Sequence, residues 1–219
     1  PARTTGRQRR RRDAHRPGHD DTADEVAPFG GRLEEEWLLD EVCQLAQFPA
    51  VLRGHFAEEF LKVPAPAVVA AMTEHQRYFP VRNADGGLCP CFLVVSDRGA
   101  AGADTVRHGN ERVLHARLAD ARFFFEQDRA RRLEDYLPGT EGMVFLKGLG
   151  TYLDKTRRMV PLVSDVCEAL GYGPETLRLA QRAAELCKAD LVTAMVGEFP
   201  KLQGVVGRIY ADADGEPAG

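Results

Sequence analysis

A few short stretches hold the side chains whose types and spacing can do chemistry. His75, Gln76 and Arg77 follow one another, so an imidazole, an amide and a guanidinium enter the next segment together and can meet RNA or a carboxylate. In GNERVLHARLADARFFFEQD, from Gly109 to Asp128, Asn110 offers the side-chain oxygen of a helix N-cap, and Glu111 suits the positive end of the dipole. A helix starting there converges free N–H groups and Arg112 on one point, a place for an anionic ligand or a partner. Arg117 stands three residues before Asp120 and can pair with it. Lys155, Lys188 and Asp190 complete the set. No G-x-S-x-G turn occurs. Leu149-Gly150-Thr151 and Leu202-Gln203-Gly204 with Gly207 lack the spacing and lysine of a phosphate loop, and read as places where helices pack closely on small residues.

The elements that must position these groups follow from periodicity. Leu114, Leu118, Ala121 and Phe125 fall on one helical stripe. Phe123, Phe124 and Phe125 step about 100° each, sweeping about 200° of circumference, and read as core. Arg112, Arg117 and Arg122 recur every five residues, which spreads them around the helix. Upstream, Trp37, Leu38, Val42, Leu45 and Phe48 mark an amphipathic helix ended by Pro49, and PAPAVVAAMTEHQ marks another opened by Pro66. RYFPVR and LCPCFLVVSD flank Asp85-Gly86-Gly87 as the strands of a hairpin, with Pro80 and Pro90 confining it to a sheet margin. After Asp128 the stretches RRLEDYLP, MVFLKGLGTYLDKTRRMVPLVSDVCEALGYG and PETLRLAQRAAELCKADLVTAMVGEF show helical spacing, punctuated by Gly171, Gly173 and Pro174.

Composition narrows the classes. With 219 residues and 44% hydrophobic side chains the chain can bury a sizeable core. No apolar run is long enough for a membrane span, and the arginine-rich start has no apolar segment behind it, so a cytoplasmic protein with no membrane is expected. Five scattered cysteines fit reduced thiols; Cys89 and Cys91 can share a strand face, but no second pair with zinc-site spacing follows. The first 19 residues carry seven arginines against one aspartate. Their +6, set against −4 for the whole, leaves the body at −10, so any RNA contact needs a local basic patch. The start at Pro1 and the closing GEPAG read as a piece of something longer.

HQRYFPV, GNERV, RLADARFFFEQD, LGTYLDKTRR, KADLVTAMVGEF and LQGVVGRIYA occur in this order, and together they closely resemble the β subunit of the bacterial two-subunit glycyl-tRNA synthetase. The resemblance runs from about Leu33 to the end; residues 1–31 depart from it. It implies an α+β chain, with a mixed α/β region resembling a B3/B4 module over 32–138 and a helical region resembling the start of an HD domain over 139–219; residues 1–31, which show no apolar periodicity, read as a disordered or non-native extension. It implies work inside a heterotetramer with the α subunit, a second β subunit and tRNA(Gly). The α subunit would use ATP and Mg for adenylation, and this part would need no cofactor and supply no catalytic group.

HD-type phosphohydrolases hold metal with histidines and aspartates that include an adjacent His-Asp pair. Here no histidine follows His115, and the one His-Asp pair is His19-Asp20. Lys188 and Asp190 therefore read as structural or interface groups, and no metal is expected. The candidates for tRNA or partner contact are His75, Gln76, Arg77, Asn110, Arg112, Arg117, Lys155 and Lys188. The rival functions are a freestanding RNA-binding or assembly module and an HD-type metal phosphohydrolase.

Overall fold

Alternation of apolar side chains in FPVR and LCPCFLVVS, joined by a five-residue link, builds the hairpin at the centre of the first unit. A computed structural model describes residues 36–45, 49–97 and 102–217. The arginine-rich start and Phe48 lie outside them. The chain divides into two compact units, the first ending at Arg122 and the second beginning at Phe123.

In the first unit, α1 (Glu36–Leu45) precedes β1 (Ala50–His55), a 3-10 turn (Glu58–Lys62) and α2 (Ala65–Thr73), which has Pro66 in its first turn. β2 (Phe79–Arg82) and β3 (Leu88–Ser96) then form an antiparallel sheet with β1, in the order β1-β3-β2. Asn83 ties the hairpin link: its Oδ1 accepts from the N–H groups of Asp85 (3.1 Å) and Gly87 (2.7 Å). β2 is an edge strand, as its proline requires, but β3 is central. Pro90 survives there because the β2 register shifts between Pro80 and Arg82 and the β1 ladder ends at Cys91. Its carbonyl accepts from Phe56 N–H at 3.1 Å.

One sheet face carries Phe79, Val81, Cys89, Cys91 and Leu93, packed with Leu38 and Val42 of α1. Burial pushes the Cys91 thiol up to about 11, so it stays protonated there. Trp37 and Leu45, also on the expected stripe of α1, are exposed. The opposite face carries Phe92, on which Tyr78 stacks with ring centroids 4.7 Å apart.

α3 (Ala103–Asp128) runs 26 residues. Its buried stripe is Leu114, Leu118 and Ala121, and it ends on Asp128. The expectation that all three phenylalanines are core is corrected. Phe123 is 60% exposed, because two 100° steps from Ala121 carry it to the far side of the helix, and Phe124 and Phe125 are half-buried.

The second unit is mainly helical. A 3-10 segment (Leu133–Gly142) leads to a small hairpin of β4 (Val144–Leu146) and β5 (Gly150–Thr151). The spacing of apolar residues predicts helix here. Gly148 and Gly150 take positive φ values of 88° and 83°, and they turn the chain back on itself instead. Thr151 and Asp154 then form a reciprocal capping box that opens α4 (Tyr152–Ala169). The remaining elements are α5 (Pro174–Leu186), a 3-10 turn (Ala189–Val192), α6 (Ala194–Glu198), a 3-10 turn (Pro200–Leu202) and α7 (Val205–Ala213). The run expected as one helix from Pro174 to Phe199 thus breaks after Leu186.

Ion pairs close the second unit around one guanidinium. Arg182 meets Glu216 through Nε (3.0 Å) and Nη2 (2.6 Å), Glu134 through Nη2 (2.7 Å) and Glu185 through Nη1 (2.8 Å). Its hydrogen bonds hold the Glu216 carboxyl below the usual carboxylate range. Burial would raise the Asp214 carboxyl, but Arg129 at 2.6 Å and the Leu133 N–H at 2.6 Å outweigh it and hold it low. Carboxyls depressed in the folded state stabilise it above their unfolded value, about 4, and that stabilisation is lost as pH falls through the depressed values. Urea unfolding is therefore expected to become easier below about pH 4, and Asp214→Asn to flatten that dependence.

Candidate functional site

The turn after α2 positions the His75-Gln76-Arg77 group. Arg77 adopts φ 56°, rare for a residue with a Cβ, and its Nε reaches Glu41 Oε1 of α1 at 2.8 Å. His75 is exposed. Gln76 and Arg77 line a cleft of about 180 Å³ together with Val42, Leu45, Val94, Val95 and Asp97, so an apolar floor carries a polar rim.

Asn110 does not begin a helix. α3 starts seven residues earlier at Ala103, so the N–H groups near Gly109 are bonded within the helix, and the anion site argued from a helix start at Arg112 is corrected. Asn110 is a tie instead. Its Oδ1 accepts from Tyr78 Oη at 2.7 Å and its Nδ2 donates to Val106 O at 2.8 Å. Burial pushes the Tyr78 phenol up to about 12, which keeps this donor protonated. Arg112, two residues on, is exposed, whereas Arg117 is half-buried. Arg122 stacks over Phe60 at 5.2 Å and pairs with Glu59 at 3.2 Å.

In the second unit, Lys155 Nζ lies 4.0 Å from the centroid of the Phe145 ring. Lys155 and Lys188 both act electrostatically on Cys187, although burial dominates and raises that thiol. Asp190 is buried. Its Oδ2 accepts from the N–H groups of Gly204 and Gly207, the N-cap and third residue of α7, and its carbonyl accepts from Thr193 Oγ1 at 2.7 Å. Gly204 has no side chain to cap its own helix; a carboxylate 14 residues upstream does so. Gly207 is small for the same reason, since a Cβ there would lie 3.0 Å from Asp190 Oδ2. The close packing expected at Gly204 and Gly207 is thus against a carboxylate.

Asp128, which sequence reasoning did not single out, does the same for α6. Its two carboxylate oxygens accept from Ala194 N–H and Met195 N–H, both at 2.9 Å. Tyr210 Oη donates to it at 3.0 Å, and Tyr136 Oη reaches its carbonyl at 3.1 Å. The signal was available in part: Asp128 lies seven residues past Ala121, on the buried stripe, where a carboxylate must have partners. No group of three or more histidine, cysteine, aspartate or glutamate side chains suited to a metal gathers among the described residues.

The arrangement is that of a mixed α/β unit followed by a helical one, in which the buried carboxylates of Asp128 and Asp190 hold helix starts. A family model described as glycyl-tRNA synthetase beta subunit matches residues 7–219, and the chain belongs to that family. It is 49% identical over 190 residues to the glycine–tRNA ligase beta subunit of Moorella thermoacetica, covering 86% of this chain and 27% of that one. It is 46% identical over 188 residues to that of Halothermothrix orenii and 43% over 189 residues to that of Geobacter sulfurreducens, with the same two shares in each case. The chain thus spans about a quarter of the length of these relatives.

Proposed function

We propose that this chain forms part of a glycine-tRNA ligase β subunit and serves protein biosynthesis in the cytoplasm. It offers contact surface for tRNA(Gly) and for assembly with the α subunit and a second β subunit. The ATP-dependent chemistry belongs to the α subunit. The observation that carries this reading is the family match across residues 7–219. Residues 32–138 form a B3/B4-like module and residues 139–219 the start of an HD-like domain. Asp190, the carboxylate that a phosphohydrolase reading would recruit, is engaged as a helix cap, which favours the contact role.

Arg112 is the strongest single candidate for an RNA phosphate, because it is exposed on α3 beside the Asn110 tie. Arg112→Ala is expected to weaken tRNA(Gly) binding several-fold and lower the slope of log affinity against log salt by about one, as loss of one phosphate contact does. Filter binding across a salt series reads this. An unchanged slope removes Arg112 from the interface, and no binding by the parent chain at any salt removes the tRNA role of this part.

A further inference from the structure

α4 is apolar over a wider sector than its own unit covers. Thr156, Val160, Val163 and Cys167 lie on its inward side, with Thr156 and Cys167 buried. Beside them Lys155, Met159, Leu162, Val166 and Leu170 fall within about 80° of one another at 100° per residue. Leu162, Val166 and Leu170 are 59%, 49% and 63% exposed, and Tyr172 just beyond the helix is 56% exposed. The far side holds Asp154, Arg157, Asp165 and Glu168, so the amphipathic pattern is sharp. At its start the seam meets the β4–β5 hairpin, where Phe145 packs edge-on against Tyr152 at 5.5 Å and Lys155 sits over Phe145. Pro161 lies within the helix on its charged side, and an apolar row of this kind along a helix is a contact face.

We propose that this seam, from Lys155 to Leu170, is the docking face for one amphipathic helix of the same subunit, contributed by sequence outside residues 1–219. That helix carries apolar groups at three-and-four spacing and carboxylates at the end that meets Lys147, Lys155 and Arg158. Three observations fix this occupant. The relatives are about four times the length that this chain spans, which supplies the sequence. A few half-exposed side chains in one row fall short of the roughly 800 Å² per partner that a stable contact between separate molecules buries, whereas a tethered helix docks without the loss of free translation. Lys147 and Arg158 are exposed at one end of the seam only, which sets the direction of the charge match. The proposal rests on the family reading for the existence of that further sequence; the role of tRNA does not enter it.

The experiment places a thiol on the seam, Leu162→Cys in a Cys187→Ser background, and follows alkylation at position 162 by peptide mass spectrometry. It is done in the 219-residue chain and in the gene product that carries these residues. In the shorter chain the introduced thiol is expected to react like an exposed one. In the gene product it is expected to react roughly tenfold more slowly or less, with Leu170→Glu restoring the fast rate. Equal rates in the two overturn the proposal. So does slow reaction in the 219-residue chain alone, which puts the occupant within these residues or in a second copy, and sedimentation distinguishes those two. Leu162 and Leu170 are exposed, Cys187 lies at the surface with its thiol donating to Ala184 O at 3.3 Å, and melting curves check that each variant is folded. Because alkylation needs neither tRNA nor the α subunit, its failure is separate from a failure of the tRNA-binding test.

Discussion

Asp128→Ala is expected to destabilise the helical unit by roughly 3–5 kcal/mol, more than any other single change considered in that unit. The substitution removes an ionised acceptor from two backbone N–H groups at the start of α6 and leaves the Tyr210 hydroxyl without its partner. Tyr210 is 1% exposed, so water cannot replace that acceptor without opening the core. Hydrogen bonds to charged groups contribute about 1.5–3 kcal/mol each, and bonds that share one carboxylate do not add independently. Asp128→Asn keeps one acceptor oxygen and is expected to lose about half as much. Urea denaturation followed by circular dichroism measures both. Equal midpoints for the parent and Asp128→Ala would show that the cap is dispensable.

Gly54→Val is expected to destabilise the first unit by about 2–4 kcal/mol through overpacking. A Cβ at position 54 meets the Phe92 ring head-on, with Phe92 Cε1 at 2.6 Å. Phe92 cannot withdraw freely, because Tyr78 is stacked on it and Tyr78 is bonded to Asn110. The strain therefore passes from β1 through the sheet to α3. Reducing the ring in a Gly54→Val/Phe92→Leu double variant is expected to recover part of the loss, giving a coupling energy that a double-mutant cycle reads directly. Additive effects of the two substitutions would place the strain elsewhere.

What the sequence made legible was local. The β2–β3 hairpin, the entry of α2 at Pro66 and the break at Gly171 to Pro174 follow from turn chemistry contained in a few consecutive residues. The misreadings have two physical causes: a partner distant in sequence decided some, and the local angle of a helix position or a glycine turn decided the others. Asn110 has the side chain of an N-cap, yet Tyr78 and Val106 use it inside a helix that begins at Ala103. Phe123 has the composition of core but the angular position of surface, since the true stripe passes through Ala121 to Asp128. The break after Leu186 serves the caps supplied by Asp128 and Asp190, and neither carboxylate is adjacent in sequence to the helix it caps. Of the candidate contact residues, Gln76 and Arg77 share a cleft, Asn110 is hydrogen-bonded to Tyr78 and Val106, and Arg112 is exposed.

The most direct test of a contact role for this chain is the glycine-charging rate of the assembled ligase with Asp190→Asn. An asparagine oxygen can still accept from Gly204 and Gly207, so the cap at α7 is preserved while the negative charge is removed. Charging per folded molecule is expected to match the parent within about twofold. A fall of about a hundredfold or more with an unchanged melting temperature would make Asp190 a participant in the chemistry and contradict this account.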